Sequence, residues 1–318
     1  MNRATVLGAG EWGATLAWLL AEAGNEVLLW TRRAELVNQS ESSHKLPSTN
    51  LELPKGLRLV GDLREALEPE LVFVAVPPAY VRPLIAKGAE SLRPGHRVVH
   101  VVKGFEPGGR PISRVITDTS CVLKVAALAG PMVPSEMWAG GLSASVVGSV
   151  FDGLVDEVCE RLAGPRLRVY GSSDVAGVEV GGAMRTPMAL ASGLVRAAGL
   201  GDAILSVLLT RGLAEAGRLA VAMGGERNTL AGLSGIGDWM HTAWDDDDPV
   251  VRAGMALAKN GSCPHPEAGT RIETLAQMAT EKKLYMPITQ AIETLLRGAP
   301  LEEVLRGLMA RTSRAEMD

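Results

Sequence analysis

Apolar positions in the first half of the chain fall into short, near-continuous runs, whereas in the second half they recur at helical spacing. "ATVLGAG" (4–10), "EVLLWT" (26–31), "LVFVAVP" (71–77), "RVVHVVKG" (97–104), "VAALAGP" (125–131) and "SASVVG" (143–148) each read as a strand. Runs without polar alternation fit strands covered on both faces. Between the first two runs, Trp12 to Ala23 carry helical periodicity that ends at Gly24-Asn25. Strands alternating with helices predict an α/β unit with a doubly wound parallel sheet. From Asp174 on, strand signals vanish. "GVEVGGAMRTPMALASGLVRAAGL" (177–200) and "LLTRGLAEAGRLAVAMGG" (208–225) read as long, closely packing helices. The boundary falls at "YGSSDVAG", giving a first domain over 1–173 and an all-helical second domain over 174–318. Pro187 lies inside the first long helix, where it removes one hydrogen bond and crowds the carbonyl of Ala183, so a kink or break is expected there.

Composition narrows the class. The chain has 318 residues, 47% hydrophobic and 21% charged, enough for two cores. Its formal net charge is -4 and it has no lysine or arginine run, which argues against nucleic acid as a partner. The N-terminal stretch resembles a signal peptide only superficially. Glu11 and Glu22 interrupt it, and a strand, turn and helix account for it better. No apolar run reaches the roughly 18 residues of a membrane span, so no membrane insertion is expected. Cys121, Cys159 and Cys263 are far apart and form no metal spacing. They read as reduced thiols of a cytoplasmic protein, and no metal is expected.

The chemistry begins at "GAGEWG". Gly8, Gly10 and Gly13 have the G-x-G-x-x-G spacing directly after a strand and at the start of a helix. The first glycine permits a tight turn, the second lets backbone approach a pyrophosphate, and the third lets helix and strand pack closely. The helix N-terminus attracts the anion. A site for NAD usually carries an acid roughly 20 residues further on, to hold the ribose 2′-hydroxyl. Here the sequence is Trp30-Thr31-Arg32-Arg33. Two arginines in place of the acid suit a 2′-phosphate, so the cofactor is NAD or NADP, with NADPH the plausible form. The alternative is that one or both arginines are solvated loop charges. Pro77 sits at a strand end near the cofactor, and Lys103 ends another strand at the edge where such sheets bind ligands.

In this order the motifs resemble those of the NAD(P)-dependent glycerol-3-phosphate dehydrogenases. The likeness runs through "GAGEWGATLA", "LWTRR", "HKLPSTNLELP", "VFVAVPPAYVRPLI", "VVKGFEP", "LAGPMVPSEMWAGGLSAS", "GVEVGGAMRTPMALASG", "LSGIGDWMHT" and "MPITQAI". It implies a Rossmann domain followed by a helical substrate domain. It also implies hydride transfer between a nicotinamide and the carbonyl of dihydroxyacetone phosphate, a reaction of glycerophospholipid metabolism. The partner is then a small carbonyl or alcohol substrate, and a homodimer is compatible with the likeness. It makes Lys103 a contact to cofactor and substrate, Gly130 part of a substrate-facing turn, and Asp238 and Thr242 a polar pair at the reacting centre. Glu11, Trp12 and Glu267 become cofactor contacts.

The departures from the family pattern cluster at the chemistry. The family's lysine and asparagine, the lysine being its general acid/base, fall on Arg185 and Thr186, which become the catalytic and substrate-binding candidates there. The family's serine, arginine and asparagine, which grip the substrate phosphate and the cofactor, fall on Asp248, Pro249 and Val250. A small residue of the Gly130 turn is Met132, and the glycine after Glu267 is Ala268. An arginine keeps its proton, with a pKa above about 12, so Arg185 cannot act as a general base. It can polarise a carbonyl or hold an anion. The run Asp245–Asp248 is either a solvated loop or part of the site. Two alternatives follow: a divergent reductase of another small carbonyl compound, or an inactive dinucleotide-binding paralogue.

Overall fold

A computed structural model describes residues 2–49 and 51–310. Strands β1 (Arg3–Leu7), β2 (Glu26–Trp30), β3 (Leu57–Val60), β4 (Leu71–Val74), β5 (Arg97–His100), β6 (Lys124–Ala129), β7 (Ser143–Gly148) and β8 (Leu167–Ser172) form one sheet. Its order is β3-β2-β1-β4-β5-β6-β7-β8. Neighbours pair in parallel except β6 and β7, which run antiparallel with Leu128 opposite Val147. Successive residues feed two apolar layers. Val6, Leu29 and Phe73 enter one, and Leu7, Leu28 and Val72 enter the other. This period of two, with both sides apolar, explains the unbroken hydrophobic runs.

The chain divides into two compact units. One comprises the described residues up to Lys103 with Pro111–Val175, and the other comprises Gly104–Arg110 with the described residues from Ala176 on. The short segment after Lys103 therefore belongs with the helical unit, where Phe105 joins its core. That unit is built around the 23-residue helix Val175–Ala197. Among the described residues, no helix is long and apolar enough to cross a membrane.

Helix Val175–Ala197 continues through Pro187, so the break that the sequence allowed for does not occur. The residues flanking Pro187, from Thr186 to Leu190, are all buried. Proline in a helix interior costs about 3 kcal/mol or more, while burying one large apolar side chain contributes about 1.5–3 kcal/mol, so packing on both sides of the proline offsets it. Helices Pro249–Asn260, Pro266–Glu281 and Pro287–Leu296 each begin with proline in the first turn, where the missing N–H has no cost.

Two glycine contacts fix neighbours around the long helix. A Cβ at Gly193 would occupy the position of the Val251 carbonyl oxygen, and one at Gly254 that of the Leu190 carbonyl oxygen. Helices Val175–Ala197 and Pro249–Asn260 thus meet backbone to backbone. A Cβ at Gly181 would lie 2.6 Å from the Ser234 carbonyl oxygen, and the Gly181 carbonyl accepts from Trp239 Nε1 at 3.0 Å.

Glu215, on helix Asp202–Ala222, is fully buried and caps helix Pro287–Leu296. Its carboxylate accepts from the Ile288 amide, from the Thr289 amide at 3.2 Å and from Thr289 Oγ1 at 3.0 Å. Burial pushes its pKa up to about 7 against the pull of these donors. The folded state therefore holds a proton that the unfolded chain has released between the ordinary carboxylate range and pH ~7. The resulting stability is fully present below that range and is lost as pH rises through 7. Urea denaturation should show the native protein losing up to about 3 kcal/mol from pH ~4.5 to ~8 through this group, with Glu215→Gln losing that slope. An unchanged slope in the variant would assign the dependence to another group.

Candidate active site

β1 delivers the chain into the glycine turn. Gly8 has φ 120°, and a Cβ on it would lie 2.6 Å from the Ala75 carbonyl oxygen. A Cβ at Gly13 would run into the Gly8 carbonyl oxygen. Gly10 differs, since a Cβ there meets no atom within 4 Å. Packing thus requires glycine at 8 and 13, whereas Gly10 leaves open space in front of a helix N-terminus. Helix Glu11–Glu22 has no side-chain cap, so its first N–H groups are available to an anion. Glu11 is exposed and Trp12 is half-buried against the core.

The turn opens onto a cavity of about 470 Å³ lined by Gly8, Gly10, Arg32, Arg33, Pro77 and Tyr80, among others. Arg32 lies over the Tyr80 ring at 5.6 Å from its centroid, and the Arg33 amide donates to Thr31 Oγ1 at 3.2 Å. Lys87 adds a third cation, and among the described residues no carboxylate lines the cavity. The cradle and the charge fit a dinucleotide, and the charge fits one bearing a 2′-phosphate. Beyond the end of β5, Lys103 Nζ donates to the Gly130 carbonyl at 3.4 Å. Gly130 has φ 148°, and a Cβ on it would lie 2.9 Å from Ser145 Cα. Met132 is turned into the core, so it places no functional group at this turn.

In the helical unit, Arg185 projects from the long helix onto two buried aspartates. Its Nη2 meets Asp248 Oδ2 at 2.5 Å, and its Nε lies 3.5 Å from Asp238 Oδ1. The other Asp248 oxygen caps helix Pro249–Asn260, accepting from the amides of Val250 at 2.8 Å and Val251 at 3.1 Å. The aspartate run therefore splits. Asp248 turns inward, while Asp246 pairs with Arg196 and Asp247 with Arg252 at the surface. Burial opposes the charge on Arg185, but Asp238 and Asp248 outweigh it and raise its pKa further. Burial likewise disfavours the Asp248 carboxylate, but Arg185 and the two amides hold its pKa below the ordinary value. Thr242 is buried and its hydroxyl donates to the Asp238 carbonyl at 2.8 Å, while Thr186 is buried beside Arg185. Glu267, in the first turn of helix Pro266–Glu281, is half-exposed and pairs with Arg271 at 3.0 Å.

A family model described as NAD-dependent glycerol-3-phosphate dehydrogenase N-terminus matches residues 3–152, and its C-terminal counterpart matches residues 174–306. The chain belongs to this family. A curated glycerol-3-phosphate dehydrogenase (NAD(P)+) of Nitrosomonas eutropha is 36% identical over 330 residues, covering 99% of each chain. One of Bacillus pumilus is 33% identical over 337 residues, covering 100% of this chain and 97% of the relative. The crystal structure of glycerol-3-phosphate dehydrogenase from Coxiella burnetii superposes with a TM-score of 0.91 at 27% identity, covering 98% of this chain and 99% of that one. The fold is that of the glycerol-3-phosphate dehydrogenases, with a dinucleotide-binding first part and a helical second part.

Within that family frame, the structure brings Arg185, Asp238, Thr242 and Asp248 into the helical unit's cluster and gathers Gly8, Gly10, Arg32, Arg33 and Pro77 around the nucleotide cavity. Of the run Asp245–Asp248, left open in the sequence between a solvated loop and the site, Asp248 is the member that turns inward, and its position directly before Pro249 marks it as a helix cap. Motif reading passes over Arg271. Arg271 stands four residues after Glu267, the spacing of a helical ion pair.

Proposed function

We propose that this chain is a cytoplasmic NAD(P)-dependent dehydrogenase that interconverts dihydroxyacetone phosphate and sn-glycerol 3-phosphate. The strongest support is that the family correspondence runs through both halves, residues 3–152 and 174–306, with the glycine turn intact. A nicotinamide dinucleotide held there would supply the hydride chemistry at the substrate carbon. Gly8, Gly10, Gly13 and the first N–H groups of helix Glu11–Glu22 hold the pyrophosphate, and Arg32 and Arg33 hold a 2′-phosphate. Glu11, Trp12, Pro77 and Glu267 complete the cofactor contacts. Lys103, beside Gly130, passes its proton to the carbonyl oxygen as negative charge develops there, and takes it back in the oxidation. Arg185 stays protonated and contributes fixed positive charge to the developing alkoxide, while Asp238 and Asp248 hold it in orientation. Thr186 and Thr242 pack this cluster. The free cysteines suit the cytoplasm, and exposed Ile204, Val207 and Val221 on one helix suit coverage by a homodimer.

A second reading is favoured by one observation. Arg185 is already closed onto two carboxylates, and Pro249 and Val250 offer no side-chain donor where the family grips phosphate. On this reading the substrate is another small carbonyl compound, or the chain binds dinucleotide without turnover. Fluorescence titration with NADPH and NADH, followed by turnover of dihydroxyacetone phosphate against a panel of carbonyl compounds without phosphate, separates them. Turnover of dihydroxyacetone phosphate above all others supports the first reading. Faster turnover of a compound without phosphate selects the second, and binding without turnover selects the inactive form.

The same titration tests cofactor choice. Arg32→Asp should weaken NADPH by roughly 10–100-fold, the worth of a charged hydrogen bond, and NADH only slightly. Equal losses for both would remove Arg32 from the 2′-phosphate.

A further inference from the structure

Two arginines of the helical unit, Arg185 and Arg271, are compensated unequally. Arg185 has two carboxylates, those of Asp238 and Asp248, whose side chains are only 3% and 8% exposed. Arg271, on helix Pro266–Glu281, has one, the Glu267 carboxylate at 3.0 Å, whose side chain is 52% exposed. The Arg271 side chain is as deeply set as that of Arg185, 20% against 19% exposed, and each arginine has a buried Nε–H without a hydrogen-bond partner, so the difference between them lies in their carboxylates. Burial lowers the Arg271 pKa, Glu267 raises it, and Arg185, near enough to repel, lowers it again, for a net lowering. The balance at Arg185 runs the other way. Arg271, with one half-exposed carboxylate, is thus the more weakly compensated cation, and Arg185, with two buried ones, the better supplied.

A helical pair with a half-exposed carboxylate contributes little, so a better anion can displace Glu267 at small cost. A guanidinium fork matches two oxygens of a phosphate. The stretch where the family places its arginine and asparagine has nothing comparable, because Pro249 lacks an N–H and the Val250 N–H is occupied by Asp248.

We propose that Arg271 is the substrate's anion anchor: its guanidinium, released from Glu267, takes the phosphate of dihydroxyacetone phosphate in place of the arginine missing at position 249. The inference rests on the proposed dehydrogenase reaction, and the test reads binding separately from turnover. Calorimetry on the full chain would compare glycerol 3-phosphate, inorganic phosphate and glycerol for the native protein, Arg271→Met, Arg271→Lys and Glu267→Gln. The native protein should bind both phosphates and not glycerol. Arg271→Met should weaken both by roughly 10–100-fold, and Arg271→Lys by less. Glu267→Gln should tighten inorganic phosphate several-fold by removing its competitor, which a merely structural Arg271 would not produce. In turnover, Arg271→Met should raise KM for dihydroxyacetone phosphate by the same factor with kcat nearly unchanged. Arg271-dependent phosphate binding without turnover would overturn the reaction and leave the anchor standing. Phosphate binding unaffected by Arg271→Met and by Glu267→Gln would overturn the anchor. Were Arg271→Met to lose its helical circular dichroism, the Glu267→Gln result would decide alone.

Discussion

Asp248→Ala is expected to destabilise the helical unit by about 3–5 kcal/mol, the cost of leaving a buried charge without its partner. Arg185 would keep only Asp238, at 3.5 Å, and helix Pro249–Asn260 would lose a cap that accepts from two amides. The cap alone accounts for about 1 kcal/mol of this. Asp248→Asn keeps an acceptor for the cap and should recover roughly that part. The pH dependence has a definite sign. Because the folded pKa of Asp248 lies below its ordinary value, its contribution is present above the ordinary carboxylate range and disappears as pH falls through the folded value. Urea denaturation should show the gap between native protein and Asp248→Ala at pH ~7 and its narrowing below pH ~4. A gap that widens in acid would mean that Asp248 is not held ionised by Arg185.

Gly193→Ala is expected to cost about 3 kcal/mol, at the upper end for overpacking, since the new methyl would meet backbone and not a side chain that can move aside. Its Cβ would occupy the Val251 carbonyl position and stand 2.7 Å from the Met255 amide nitrogen. Because Pro249–Asn260 carries Asp248 at its N-cap, pushing this helix outward also stretches the Arg185 pair. Substrate turnover should fall along with the melting temperature. Gly307→Ala provides the contrast. Its Cβ meets nothing within 4 Å in an exposed helix, and the change should stabilise by about 0.5–1 kcal/mol. Equal melting temperatures for the two variants would show that the helices do not approach as closely as Gly193 and Gly254 indicate.

The sequence was most legible where local rules and packing agree. Gly8 and Gly13 read as turn and close-packing glycines, and each is hemmed in by backbone. The interior strands are legible because both faces are apolar. β3 and β8 escape the pattern because they lie at the two ends of the sheet, and β8, with Arg168, Tyr170 and Gly171, is half-exposed. The antiparallel sense of β7 is not written in its residues, since a hydrophobic run carries no direction. Pro187 does not break its helix because the local rule meets buried packing from Thr186 to Leu190. The site is legible as residue types but not as pairings. Arg185 and Asp248 are 63 positions apart, and nothing local tells that one of four consecutive aspartates turns inward to meet it. Arg271 is visible only as one half of a helical pair until the unequal compensation of the two arginines is seen in three dimensions.

The pairing of Arg185 with Asp238 and Asp248 also changes what the substitution of lysine by arginine means. A lysine at this position could exchange a proton. A guanidinium held by two buried carboxylates cannot, which is why the proposed mechanism gives it the role of a fixed charge and gives proton transfer to Lys103. A pH–rate profile of Arg185→Lys should gain an ionisation that the native enzyme lacks, if the introduced amine reaches the reacting oxygen.

The most direct test of the account is to follow the label. Reduced cofactor carrying deuterium at both C4 positions of the nicotinamide, incubated with the native protein and dihydroxyacetone phosphate, should yield glycerol 3-phosphate with deuterium at C2, detected by mass spectrometry. Glycerol 3-phosphate free of label, or no product above a reaction without protein, would contradict it.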